Sequence, residues 1–294
     1  MSPSGARGRD DPGAGWEIAG LTAAAMVAFA ANSLLCRAAL GGGQADAASF
    51  TTLRLGGGAL ALSLLARARG SAGPPSGFAW GSAAALFVYA LGFSLAYLRI
   101  PAGVGALLLF AAVQLTMVGA GLRSGERPRA LEWAGHGLSI GGLVLLTCPG
   151  LARPDPVGAV LMLVAGAAWG VYSLRGRGRG DAVARNAAGF ARAFPLSVGA
   201  SLVAVAAGAA HVSPAGVGLA LASGAVASGL GYAAWYAALR GLTATRAALV
   251  QLSVPPLAAA GGVLLLGERF SPQLLLSGVL ILGGIALAVA GRRR

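Results

Sequence analysis

Two stretches decide how this chain folds: residues 102–127, AGVGALLLFAAVQLTMVGAGLRSGER, and residues 244–269, ATRAALVQLSVPPLAAAGGVLLLGER. Each is a run of roughly twenty mostly apolar residues, long enough as a helix at 1.5 Å per residue to cross a hydrocarbon layer about 30 Å thick. Each ends on Gly-Glu-Arg, and Gly125 and Gly267 lie 142 positions apart (267 − 125). The offset persists, because Ser139-Ile140-Gly141-Gly142 returns as Ile281-Leu282-Gly283-Gly284 and Phe93 falls on Trp235. With slightly smaller offsets, Phe29 falls on Trp169, Arg37 on Arg177 and Arg54 on Arg192.

Working outward, eight further apolar runs flank these two, giving spans at 17–37, 47–66, 78–98, 102–122, 130–148, 156–174, 186–209, 215–239, 244–266 and 272–290. The 294 residues are 56% hydrophobic and only 11% charged, where a soluble domain carries about a quarter charged residues. Backbone groups in hydrocarbon find partners only within their own segment, so runs of this length must be helices. The chain therefore reads as an all-α integral membrane protein with ten transmembrane helices in two repeats. Residues 1–16 form an N-terminal tail, 17–148 the first five-helix repeat, 149–155 a linker, 156–290 the second repeat and 291–294 a basic tail. Five is odd, so the second repeat enters the membrane from the opposite face; such inverted repeats are a recurrent design of secondary transporters. Ser213-Pro214 and Ser271-Pro272 read as N-caps followed by proline at the first helical position.

All 22 basic residues are arginine. Sixteen of them fall on the side of the N-terminus and four (Arg37, Arg99, Arg153 and Arg269) on the other, which by the positive-inside rule puts both termini in the cytoplasm of a bacterial inner membrane. The net charge of +13 thus marks orientation, and no nucleic-acid partner is expected. Cys36 and Cys148 offer neither a disulfide framework nor a metal site, and no phosphate loop or nucleophile–base pair is present. No enzymatic activity, metal or cofactor is expected. Every carboxylate lies in a loop or at a helix end, whereas proton or sodium coupling places one in mid-membrane. Facilitated movement is the reading that follows. Glu132 and His136, four apart on the fifth helix, read as a wet pair at its end.

The midplane holds uncharged polar and aromatic residues instead. An amide in hydrocarbon is costly unless bonded, so Asn32, Gln114 and Gln251 should face inward. Tyr89, Phe93 and Tyr97 share a face of the third helix, and Tyr232, Trp235 and Tyr236 crowd a face of the eighth. Trp169 and Tyr172 lie in the sixth helix and Ser253 in the ninth. Amides and hydroxyls can bond a zwitterion while rings enclose its apolar side chain. The candidate substrate-binding set is accordingly Asn32, Tyr89, Phe93, Gln114, Trp169, Tyr172, Tyr232, Trp235, Tyr236, Gln251 and Ser253. Pro255 and Pro256 should kink the ninth helix as a hinge or gate. Arg54 and Arg192 read as structural, snorkelling or bonding helix-end carbonyls, with a substrate-carboxylate role as the alternative. Glu126 and Glu268 read as helix-end caps.

The five-plus-five layout, Gly-Glu-Arg after the fourth and ninth helices, Trp169-Gly170 in the sixth, and Arg54 and Arg192 early in the second and seventh resemble the drug/metabolite transporter superfamily, in its ten-helix EamA-type branch. The likeness covers nearly the whole chain; Phe29-Ala30 stands where many relatives have tryptophan–glycine. Within the branch, the aromatic cluster is similar to bacterial YddG-type exporters of aromatic amino acids. The resemblance implies a central cavity lined by the first, third, fourth, sixth, eighth and ninth helices. The expected function is facilitative export of amino acids, aromatic ones included, by alternating access. A drug or other-metabolite exporter is the alternative, and a non-transporting scaffold or channel the reading from another class. A monomer is expected, with membrane lipid and a small-molecule substrate as partners.

Overall fold

The computed structural model describes residues 12–71, 80–125, 129–148, 154–175, 181–242 and 250–291. Ten helices lie among them: α1 (Pro12–Gly41), α2 (Ala47–Ala68), α3 (Trp80–Tyr97), α4 (Ala102–Arg123), α5 (Ala130–Thr147), α6 (Pro156–Arg175), α7 (Ala182–Ala206), α8 (Pro214–Ala238), α9 (Val254–Leu266) and α10 (Pro272–Gly291). Eight are long and apolar enough to cross a membrane. The other two are α5, which carries Glu132 and His136 in its first two turns, and α9, which has 13 residues. Arg37 falls within α1, which runs on to Gly41, and not in the loop after it.

Two helices depart from the sequence reading. The expected kink in the ninth span is a break: the chain is helical at 250–251, turns at Leu252 and Ser253, and restarts at Val254 with prolines in the first turn. There the missing proline N–H interrupts no hydrogen bond, so a new start costs less than a bend through an intact helix. In α8 the middle, Ala222–Leu230, is wound as a π-helix. Its sequence, ASGAVASGL, is almost all small residues, and this widened coil lies where α2 comes closest. A Cβ on Gly224 would collide with the Arg54 carbonyl, and one on Gly58 would stand 2.6 Å from the Phe190 ring.

Small residues let the other helices meet as closely. Helix α5 packs on α10, α2 on α7, α3 on α6, α4 on α6 and α9, and α1 on α8 and α9. Side-chain polarity is inverted relative to a soluble protein. Leu264 and Leu265 on the outside are 80% and 74% exposed, while Ser94, Ser197 and Ser223 inside are wholly buried. Lipid is the solvent such a surface fits. Inside, Thr51 donates to Ser94 at 2.8 Å and Thr52 pairs with Ser201 at 2.8 Å, joining α2 to α3 and α7. The two expected serine caps are present, Ser213 accepting from Gly216 N at 3.0 Å and Ser271 from Leu274 N at 3.2 Å.

At one end of the bundle Asp46 ties the halves together. Its carboxylate accepts from the Ala48 and Ser49 N–H groups, capping α2, and from His211 N across the loop between α7 and α8, each at 2.9 Å. Partial burial works against ionisation, but the bonds from Ser49, His211 and Ala48 outweigh it and hold the carboxyl below its usual range. A depressed pKa contributes stability above the unfolded value and loses it as pH falls through the folded one. Asp46→Ala should therefore cost about 1 kcal/mol at neutral pH. In detergent melts the gap to wild type should close on acidification through the carboxylate range; a constant gap would show that the charge plays no part.

Candidate functional site

A cavity of about 430 Å³ lies between the helices, within the size range of small-molecule sites. Its centre is aromatic. Trp169 on α6 stacks on Tyr232 of α8 at 5.6 Å between ring centroids and meets Tyr89 of α3 at 4.8 Å and Tyr172 of its own helix at 5.5 Å. Phe29 on α1 sets its edge against Tyr232 and Trp235 at 5.8 and 6.0 Å. Four helices thus meet through rings, each such pair adding about 0.5–1.5 kcal/mol beyond area burial. Tyr89 and Phe93 sit one turn apart on α3, their rings 5.5 Å apart.

Polar groups punctuate this wall. Asn32 on α1 accepts from Ser223 of the π-helical coil at 2.6 Å. Gln114 on α4, Gln251 just before α9, and Tyr236 on α8 complete the sequence-derived lining. Of the eleven residues expected to bind substrate, ten line this one cavity. Ser253 does not: its hydroxyl turns back to the Val250 carbonyl at 2.7 Å, because the helix breaks there.

Some lining residues were not foreseen. Helix α7 also contributes, through Arg185 and Asn186; Asn186 accepts from Tyr172 Oη at 3.0 Å and donates to the Ala182 carbonyl. The rule that points Asn32 inward, an amide in an apolar run, would have found Asn186 too had it not stood at the start of the span. Ser228, on the π-helical coil, is 2% exposed, lines the cavity and has a hydroxyl with no partner. Nothing in its sequence context distinguishes it from other serines. Tyr97 lies outside the cavity, buried against Phe93 and donating to the Ala102 carbonyl at 3.3 Å.

Arg54 departs most from expectation. It does not snorkel: it is 1% exposed, because α2 is packed between α3, α7 and the π-helical coil. Nor does it bond a helix-end carbonyl. Its Nη2 donates to Tyr89 Oη at 2.8 Å, and the guanidinium carbon lies 4.9 and 5.2 Å from the ring centroids of Phe93 and Tyr89. Arg192 is half-buried on α7. Glu132 is buried and its carboxylate accepts from Arg129 N at 3.1 Å, capping its own helix. Glu126 lies outside the described residues.

The lining runs to the end turns of α6, α7 and α8 at one face, with Ser173, Arg185 and Leu239, and none of it reaches the opposite face. There Glu268, in the turn between α9 and α10, accepts from Ala102 N with both oxygens, at 3.0 and 2.9 Å, and from Arg37 Nε at 3.2 Å. A carboxylate at a helix N-terminus is favoured by the exposed N–H groups there. Arg37 also donates to the Tyr97 carbonyl at 2.8 Å. A second cavity adjoins this clasp, with Arg37, Glu268 and Val104 in its wall, and shares no lining residue with the first.

Eight apolar helices long enough to cross a membrane, several of them lining an aromatic cavity, mark a polytopic membrane protein. Residues 156–290 match the EamA-like transporter family. A relative from Pseudomonas aeruginosa, the "Uncharacterized protein PA1977", is 53% identical over 272 residues, covering 92% of this chain and 94% of that one. A solved structure described only as "Crystal structure of protein" superimposes with a TM-score of 0.66 at 20% identity, over 93% of this chain and 97% of its own, and shares the fold.

If the Glu268 clasp holds its face shut, Glu268→Gln should loosen it. In a background lacking Cys148, which is exposed and free, a Val104→Cys substitution in the wall of the second cavity, at a position 3% exposed, should then react several-fold faster with a small polar thiol reagent. An unchanged labelling rate would assign closure to helix packing alone.

Proposed function

We propose that this protein is a facilitative secondary transporter that exports amino acids, aromatic ones included, across a bacterial inner membrane by alternating access. The observation that carries this is the cavity itself: a wall of stacked rings interrupted by amides and hydroxyls, with no carboxylate among its lining residues. Rings take an apolar side chain, and the polar groups take a zwitterionic head. A cavity free of carboxylates is poorly suited to proton antiport and to cationic drugs, which favours the amino-acid reading over a drug exporter.

Ten crossings in two inverted repeats fit the packing. Exchanging each helix for the one five places on turns the α3–α6 contact into α8–α1 and α4–α6 into α9–α1, and both members of each pair occur. It leaves α2–α7 and α5–α10 unchanged. A residue can touch its own symmetry mate only beside the axis, and two such contacts support an axis in the membrane plane. Ser139 Oγ donates to the carbonyl of Ile281, its counterpart at offset 142, at 3.1 Å. A Cβ on Gly56 would stand 2.9 Å from the ring of Phe194, at the offset of 138 that relates Arg54 to Arg192 (194 − 56). With both termini cytoplasmic, as the arginine count indicates, the cavity reaches toward the cytoplasm and the Glu268 clasp faces outward. The subtype resembling the aromatic amino-acid exporters rests on the same rings.

Counterflow of labelled amino acids into liposomes tests this reading. Saturable exchange is expected, and saturable flux of organic cations alone would replace it with drug export. No saturable flux of either would leave a scaffold or channel. Trp169→Ala should cut exchange at least about tenfold without loss of folded protein, since it removes the ring that joins three others; wild-type kinetics would remove the cavity from the transport path. If the restart at Val254 works as a gate, replacing both Pro255 and Pro256 by alanine, which permits a continuous helix, should change the exchange rate. An unaltered rate would mean the break is only packing. Labelling of the Gly125 and Gly267 turns from the same side of the membrane would contradict the inverted topology.

A further inference from the structure

Arg54 is a permanent cation held out of water with no anion beside it. Its guanidinium cannot shed its proton under ordinary conditions. Two of its three nitrogens, Nε and Nη1, are buried with no hydrogen-bond partner, and the third bonds a neutral phenol. The ion pairs among the described residues, Arg37–Glu268 and Arg99–Asp155, leave it out, and no carboxylate is among the described residues that line the cavity. A buried charge is normally neutralised by a partner, and here only the faces of Tyr89 and Phe93 attend it.

Those two rings are also the cavity wall, so the cation sits on the reverse side of the surface a solute would touch. The charge acts across a low-dielectric layer one ring thick, where fields are screened far less than in water. The charged side chain in the described lining, Arg185, has the same sign as Arg54. The lining also holds Ser228, whose buried hydroxyl has no partner and is a ready donor to an oxyanion.

We infer that Arg54 is the counter-charge for a carboxylate on the transported solute, making the cavity select molecules that carry a carboxylate over the corresponding amines. This names the substrate class of the cavity and rests on its reading as the transport site. Arg54 is a specificity-determining residue that works through the wall and need not touch the solute.

The test is binding in detergent, read by quenching of the cavity tryptophans, with two probes of one shape and opposite charge: phenylacetate and phenethylamine. Wild type should bind the acid at least about tenfold more tightly than the amine. The ratio should hold in high salt, because a buried charge escapes ionic screening. Arg54→Gln should bring the two probes to within about twofold, while Arg54→Lys, which keeps the charge, preserves the preference. Tyr89→Phe, which removes the hydrogen bond but keeps the cation, should preserve it as well. Equal or stronger binding of the amine to wild type overturns the inference, as does an undiminished preference in Arg54→Gln. Should Arg54→Gln fail to fold, the wild-type ratio with its salt dependence, and loss of the preference in Tyr89→Phe, still decide it. Counterflow is measured separately: acid preference without amino-acid exchange sinks the transport reading and leaves the charge assignment standing.

Discussion

Hydrocarbon offers a hydroxyl, amide or guanidinium nothing to bond, and the architecture follows from that. Each polar side chain in these helices has to find a partner inside the bundle, so polarity points inward and leucine and valine point out. Most of the hydroxyls settle on the carbonyl one turn back or on a neighbouring helix, as Thr51, Ser94 and Ser139 do. Glycine and alanine then let the backbones come near enough for such bonds to span two helices. The cavity remains where aromatic side chains are too large to close over one another, and amides are tolerated beside it because a wet space satisfies them.

Against that rule the orphaned groups stand out. Ser228 lines the cavity, and the two free nitrogens of Arg54 lie behind its wall, under the rings of Tyr89 and Phe93. Leaving a buried donor unmade costs about 1–3 kcal/mol, more when it is charged. The Ser228 hydroxyl is therefore open to a solute in the cavity and the Arg54 charge acts on that solute through the rings, while Ser277 on α10, away from the cavity, is buried without a partner as well. The π-helical coil contributes to both features, presenting Ser228 and admitting the backbone of Arg54 over Gly224. Such wide coils recur at functional sites.

Much of the fold was legible because lipid imposes a simple grammar. Apolar run length marked the helices to within a few residues, Ser213-Pro214 and Ser271-Pro272 marked two starts, and inward-facing amides located the cavity. What escaped has physical reasons. Arg54 lies two turns into its helix, where an arginine usually reaches water, and only the packing of α2 among three neighbours closes that route. Arg185 and Asn186 occupy a helix end, where polar residues are ordinary. The π-helical coil is written in alanine, glycine and serine, which favour no particular winding. Ser253 was misplaced because adjacent prolines read equally well as a bend or as a fresh start.

The Glu268 carboxylate has a mechanical consequence. One group holds the first amide of α4 and the guanidinium of α1, and that guanidinium in turn grips the end of α3. None of the three helices can move at this junction without breaking a bond that also fixes a neighbour, so the contacts there are made or lost together and not one at a time.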